Sequence, residues 1–198
     1  MRLMTRRAAG LDPGEWDAST QEEVTGVFDA LAPEWHTRTS SQRTEVVADA
    51  LRRGLDGVGA ERGLAIEAGA GIGTYSAMLN TRFRSVLSLD LSFEMIARSS
   101  APLAHRIVAD ASRLPVGDET ADGLVLINAF VFPEEVKRVL RRGGTIVWVN
   151  SSGDQTPIHL STEDLVRALP FPVRGVESRA GAGSWCVLIR ADGSTAVH

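Results

Sequence analysis

A chain of 198 residues is long enough for one domain to bury a core without disulfide or metal staples. Its 43% hydrophobic and 23% charged residues suit a globular protein, and a net charge of −4 argues against nucleic acid as a partner. The single cysteine, Cys186, excludes a disulfide framework or a clustered thiolate metal site, and no run approaches the ~18 apolar residues of a membrane span, so a cytoplasmic location is expected.

The start, Met1 to Arg7, carries three arginines and no following apolar core of signal-peptide length, and reads as a frayed tail. With Asp12-Pro13-Gly14 as a turn signal, the first twenty residues read as irregular. A short helix is expected over 21–31, with Val24, Val27, Phe28 and Leu31 on one face. A stronger helical pattern begins at Ser41 and places Val46, Val47, Ala50, Leu51 and Leu55 together, with Gly54 and Gly57 closing it.

The period then changes. Leu64-Ala65-Ile66 is a short apolar run that stops at Gly69, followed by a helix over 73–79. The run Val86-Leu87-Ser88-Leu89 ends at Asp90, and Ser92 is a suitable N-cap for the helix carrying Phe93, Met95 and Ile96. Ile107-Val108-Ala109 ends at Asp110, and Leu124-Val125-Leu126-Ile127 ends at Asn128. A helix over 133–141 follows, opened by Pro133 and ended by Gly143-Gly144, and then a strand over 145–149. Ser161 opens a last helix that stops before Pro170. Two strand-like stretches, 173–178 and 185–190, flank the Gly181-Ala182-Gly183 turn of a hairpin. Short apolar strands alternating with helices imply a parallel sheet covered on both faces, closed here by an antiparallel hairpin.

The informative segment is Glu67-Ala68-Gly69-Ala70-Gly71-Ile72-Gly73, between the first strand and its helix. Glycines there allow a sharp turn and close approach of a ligand to the main chain, and the helix start behind them suits an anion; a tight turn and nothing more is the plain alternative. The dinucleotide fingerprint is G-x-G-x-x-G. This loop is G-x-G-x-G, with Thr74 in the dinucleotide position and a carboxylate, Glu67, at the entrance, which suits an ammonium better than a pyrophosphate. Asp90, about twenty residues beyond the loop, suits a pair of ribose hydroxyls or, more simply, the N-terminus of its helix. Asp110 at the third strand's end suits an exocyclic amine. Three acids at successive strand ends around one glycine loop point to a nucleoside-bearing ligand.

From Leu64 to Val149 the chain resembles the class I S-adenosylmethionine-dependent methyltransferases, in particular the small-molecule group of ubiquinone/menaquinone-biosynthesis type. The acid-x-G-x-G-x-G loop is matched by Glu67 to Gly73, the ribose acid and its helix by Leu89-Asp90-Leu91-Ser92 and Met95, and the third-strand signature by the segment from Ala109 to Asp118. The turn before the fifth strand is matched by Val139-Leu140-Arg141-Arg142-Gly143-Gly144. The resemblance implies an α/β, Rossmann-like, doubly wound seven-stranded sheet, mostly parallel with a C-terminal antiparallel hairpin. One domain is implied: a helical lid over 1–60, a cofactor-binding core over 61–150, and a closing helix and hairpin over 151–198.

It further implies S-adenosylmethionine as cofactor, with Glu67, Gly69, Ala70, Gly71 and Gly73 at the methionine end and Asp90 at the ribose. Leu91 and Met95 would pack near ribose and adenine, Asp110 and Ala111 would meet the adenine amine, and Asn128 would lie beside the transferred methyl. A small-molecule methyl acceptor is the implied partner, as a monomer or homodimer, with no metal.

Two departures bear on the acceptor. The segment Asn128-Ala129-Phe130-Val131-Phe132-Pro133 is shorter than the family's loop and lacks its histidine; Phe130 and Phe132 form a substrate wall or pack the next helix onto the sheet. The segment Val27-Phe28-Asp29-Ala30-Leu31-Ala32-Pro33-Glu34-Trp35-His36 resembles the family's lid motif, with Trp35 in place of tyrosine and His36 in place of aspartate. His36 is either a base or a plain surface residue, and no catalytic residue stands out. The rival readings are a cofactor-binding protein without catalysis and a nucleotide-dependent oxidoreductase on a related sheet.

Overall fold

The computed structural model describes residues 1–99 and 105–191. Its strands are β1 Leu64–Ala68, β2 Ser85–Asp90, β3 His105–Val108, β4 Ala121–Ile127, β5 Leu140–Asn150, β6 Val173–Ala180 and β7 Gly183–Arg190. They form one seven-stranded sheet in the order β3-β2-β1-β4-β5-β7-β6. The pairs among β1 to β5 are parallel, and β7 runs antiparallel between β5 and β6. This is the Rossmann-like α/β sheet expected from the sequence, hairpin included.

The helices are α1 Arg2–Ala8, α2 Ala18–Leu31, α3 Ser41–Asp49, α4 Leu55–Val58, α5 Ser76–Asn80, α6 Phe93–Ala97, α7 Pro133–Val139 and α8 Thr162–Ala168. Successive side chains of a strand point to opposite faces. In β4, Leu124 and Leu126 therefore join one core with Leu89, Trp148, Leu160 and Leu165, while Val125 and Ile127 join another with Val47, Leu51, Leu55 and Leu79. Every residue of β4 is buried, which is why its sequence is continuously apolar apart from Asp122 and Gly123. Trp148 and Trp185 are core residues, as their strand patterns imply.

The chain leaves β1 outward to β2 and β3, then returns to β4 on the other side of β1. A reversal of this kind opens a crevice at the carboxyl ends of the strands. The loops after β1 and β4 meet there: a Cβ on Gly69 would fall 2.7 Å from the Cβ of Ala129.

Several local expectations are corrected. The first residues are a docked helix rather than a tail: Thr5 and Ala8 are buried, and Arg6 pairs at 2.9 Å with both Asp12 and Asp164. The next helix starts earlier than its apolar pattern, because Asp17 caps it by accepting from the Thr20 amide at 2.8 Å. Gly54 and Gly57 do not end the third helix, which passes through a π-helical turn, Ala50–Gly54, and stops at Gly59 with φ +65°. Gly54 is instead a packing glycine, since a Cβ there would lie 2.4 Å from Val187 Cγ2. The helix after the glycine loop begins at Ser76 rather than Gly73. Helix α7 ends at Val139, before Gly143-Gly144, because Leu140 already pairs with Ala121 in the sheet.

Candidate functional site

Over the crevice lies a cavity of about 240 Å³, floored by the ends of β1, β2 and β4 and walled by α2 and the 3-10 turn Ala32–Arg38. Of the residues singled out in the sequence, Glu67, Gly69, Ala70, Gly71, Asp90, Leu91, Met95, Asp110, Ala111 and Asn128 all line it, as do Trp35, Phe130 and Phe132. Two are placed elsewhere. Gly73 lies within the loop turn, its amide donating to the Ala70 carbonyl at 3.0 Å, and the side chain of His36 is exposed on the 3-10 turn.

Glu67 is not an open acid at the entrance but is 2% exposed. Its Oε2 accepts from the Ser76 hydroxyl at 2.5 Å and the Ser88 hydroxyl at 2.6 Å. Burial pushes its carboxyl above the ordinary range; the two hydroxyls oppose that shift and the neighbouring Asp90 charge adds to it. Neither serine was marked by the sequence, since they reach Glu67 from 9 and 21 residues away.

Asp90 ties the loop to β2. Its Oδ2 accepts from the Gly71 amide at 2.8 Å and its Oδ1 from the Ser92 amide at 2.9 Å. Burial raises its pKa against the pull of these backbone donors, and the charge of Asp29 raises it further. Ser92 also caps α6 through the Met95 amide at 3.0 Å and donates its hydroxyl to Asp29 on α2, latching the helical wall to the sheet side. The loop amides of Ala70, Gly71 and Gly73 are bonded to Leu89, Asp90 and Ala70, and the missing Cβ of Gly71 lets Trp35 approach, since a Cβ there would lie 3.2 Å from Trp35 Nε1.

Asp110 accepts from the Ser112 amide at 2.8 Å, from its hydroxyl at 2.7 Å, and from the indole of Trp16. Trp16, in the stretch read as irregular, also lines the cavity; an anchored start to α2 at Asp17 is the signal that would have found it. Asn128 has φ +51°, a left-handed conformation that asparagine tolerates better than most residues. Its amide nitrogen donates to the Ser151 hydroxyl and its oxygen accepts from the Ser151 amide, both at 2.8 Å, clasping the ends of β4 and β5. Tyr75 also faces the cavity, and burial pushes its phenol pKa up against the opposing charge of Arg43. Among the described residues no cluster of His, Cys, Asp or Glu could hold a metal ion, and no helix is long and apolar enough to cross a membrane.

Residues 66–148 match the family described as a methyltransferase domain. The chain is 27% identical over 173 residues to a demethylmenaquinone methyltransferase of Mycolicibacterium paratuberculosis, covering 81% of this chain and 74% of the relative. Among solved structures, a Burkholderia thailandensis 1,6-didemethyltoxoflavin-N1-methyltransferase bound to its substrate and S-adenosylhomocysteine superposes with a TM-score of 0.65 at 14% identity, covering 91% of this chain and 93% of that one. A complex of DhpI with S-adenosylhomocysteine has a TM-score of 0.65 at 16% identity, covering 86% and 97%. At such identities the structural likenesses speak for the fold. The matches support neither an oxidoreductase nor a non-catalytic protein. Family model, relative and fold agree with the acid-x-G-x-G-x-G loop and the acids that follow it: residues 66–148 form a methyltransferase domain, and the chain is similar to the class I S-adenosylmethionine-dependent methyltransferases.

Proposed function

We propose that this enzyme methylates a small, predominantly apolar molecule. The observation that carries the reading is the continuity of one cavity from the carboxylate-tipped strands to an apolar wall of Val24, Val27, Phe28, Leu31, Phe130 and Ile158. The named substrate of the mycobacterial relative, a demethylmenaquinone, fits such a wall.

The cavity fits the cofactor: its floor joins the Gly69–Gly71 turn to the carboxylates of Glu67, Asp90 and Asp110. In this reading Glu67 faces the cofactor's ammonium, with Gly69, Ala70 and Gly71 beside the methionine chain. Asp90 accepts from ribose hydroxyls, Leu91 and Met95 pack beside ribose and purine, and Asp110 and Ala111 meet the adenine amine. Asn128 lies next to the methyl, and Trp35, Phe130 and Phe132 border the acceptor. Residues 1–60 serve as the helical cap, 61–150 as the binding core and 151–198 as the closing helix and hairpin of one domain, expected in the cytoplasm.

When bound, the cofactor supplies an electrophilic methyl on its sulfonium. The chain's share is to hold the two partners in line and to exclude water. The Tyr75 phenol, which burial pushes above its ordinary range, offers a hydrogen-bond donor to the cavity. With no histidine among the described lining residues, the site favours an acceptor atom that is unprotonated or readily deprotonated.

The test is turnover. Released S-adenosylhomocysteine is measured with a panel of hydroxylated quinols, phenols and heteroaromatic amines. Release with an apolar ring acceptor supports the reading; release only with strongly polar acceptors overturns it.

A further inference from the structure

The indole of Trp16 occupies the carboxylate that the proposed function assigns to the purine. Its N–H is shared between Asp110 Oδ2 at 3.1 Å and Oδ1 at 3.3 Å. The Ser112 amide takes a second position on Oδ1, and the Ser112 hydroxyl a second on Oδ2. A carboxylate offers about four lone-pair positions, and here the chain's own donors reach them all. The ring itself is seated in the cavity, with centroids 5.2 Å from Phe130 and 5.0 Å from Phe132.

The connection that carries Trp16 is anchored at both ends and turns between them. Helix α1 is held by the ion pairs of Arg6, and α2 is capped by Asp17. Between them Gly10 and Gly14 adopt φ of +69° and +137°, conformations that side-chain-bearing residues rarely take. A movement of this short segment would withdraw the indole without undocking either helix.

We infer that Trp16 competes with the cofactor's exocyclic amine for Asp110, so that cofactor entry exchanges one N–H donor for another on the same carboxylate. The inference rests on the assignment of Asp110 to the adenine amine. Because donor replaces donor, the carboxylate is never left unpaired, and removing the indole N–H favours the cofactor.

The experiment is a double-mutant cycle read by calorimetry with S-adenosylhomocysteine, using the full chain, Trp16→Phe, Asp110→Ala and the double variant. Phenylalanine keeps the ring against Phe130 and Phe132 and removes only the donor. The competition predicts that Trp16→Phe tightens binding roughly tenfold, as for a lost hydrogen bond to a charged group. It also predicts that Asp110→Ala weakens binding in the Trp16→Phe background far more than in the wild-type background, where both competing bonds vanish together. In the wild-type chain, the Trp16 indole N–H resonance should shift on addition of the ligand; a resonance that stays in place overturns the competition without recourse to any variant. Equal or weaker binding by Trp16→Phe, with the same cost for Asp110→Ala in both backgrounds, would also overturn it and leave Trp16 as a packing residue. If Asp110→Ala costs nothing even in the Trp16→Phe background, the assignment of Asp110 itself fails, and the competition with it.

Discussion

The amide of Gly71 donates to Asp90 Oδ2 at 2.8 Å, so the middle glycine of the loop and the acid at the tip of β2 form one unit. Asp90 spans from this loop to the start of α6 through its bond from the Ser92 amide. Replacing Asp90 with alanine should therefore release the loop as well as remove the acceptor proposed for the ribose hydroxyls. We expect affinity for S-adenosylhomocysteine to fall by about 1.5–3 kcal/mol, measured by calorimetry. An unchanged dissociation constant would remove Asp90 from the binding role.

Glu67 gives a pH prediction with a definite sign. Burial raises its folded pKa above the ordinary glutamate value, so its contribution to stability is present below the unfolded pKa and is lost as pH rises through the folded one. Glu67→Gln removes the buried charge while keeping an acceptor for Ser76 and Ser88. The variant should melt higher than the parent at pH above the raised folded pKa, with the advantage fading as the pH falls through that value and gone below the ordinary carboxylate range of about 4. It should also bind the cofactor more weakly, if the carboxylate faces an ammonium. Thermal melts over a pH series, paired with a binding titration, read both effects.

Gly69 reports on the crevice itself. It has φ +72°, and a Cβ there would stand 2.7 Å from the Ala129 Cβ. Gly69→Ala should destabilise by about 1–2 kcal/mol through the left-handed backbone alone, with the clash adding to that. Adding Ala129→Gly should recover the clash portion and leave the backbone portion. Denaturant unfolding of the three variants separates them; no recovery in the double variant would mean that the two loops do not meet.

The latch between Asp29 and Ser92 joins α2 to the N-terminus of α6. Asp29→Ala removes the latch alone, whereas Ser92→Ala also removes the cap, which is typically worth about 1 kcal/mol. Amide exchange in α2 should accelerate in both variants, and α6 should loosen only in the second. Unaltered exchange in α2 would show that the apolar contacts of Val24 and Phe28 hold the wall without the latch.

The parallel part of the sheet was legible because the first four strands carry short apolar runs ended by a glycine, an acid or an asparagine, and Val125 and Leu126 need no distant partner to announce a buried strand. The carboxylates at the strand tips were visible for the same reason. Their surroundings were not. Sequence position put Glu67 at the loop entrance but could not show Ser76 and Ser88 folding over it, because those contacts arise only when β2 and α5 pack beside β1. The first helix was missed because seven residues carry too little periodicity, and its docking depends on Arg6 meeting Asp164 at the other end of the chain. Gly54 looked like a helix stop because its reason, the approach of Val187, belongs to the last strand.

The most direct measurement is a pair of titrations on the whole chain, one with S-adenosylhomocysteine and one with NADH. A class I methyl-donor site walled by Asp90, Asp110 and the glycine loop predicts saturable one-to-one uptake of the first and none of the second. Saturation by the nicotinamide dinucleotide alone would contradict it.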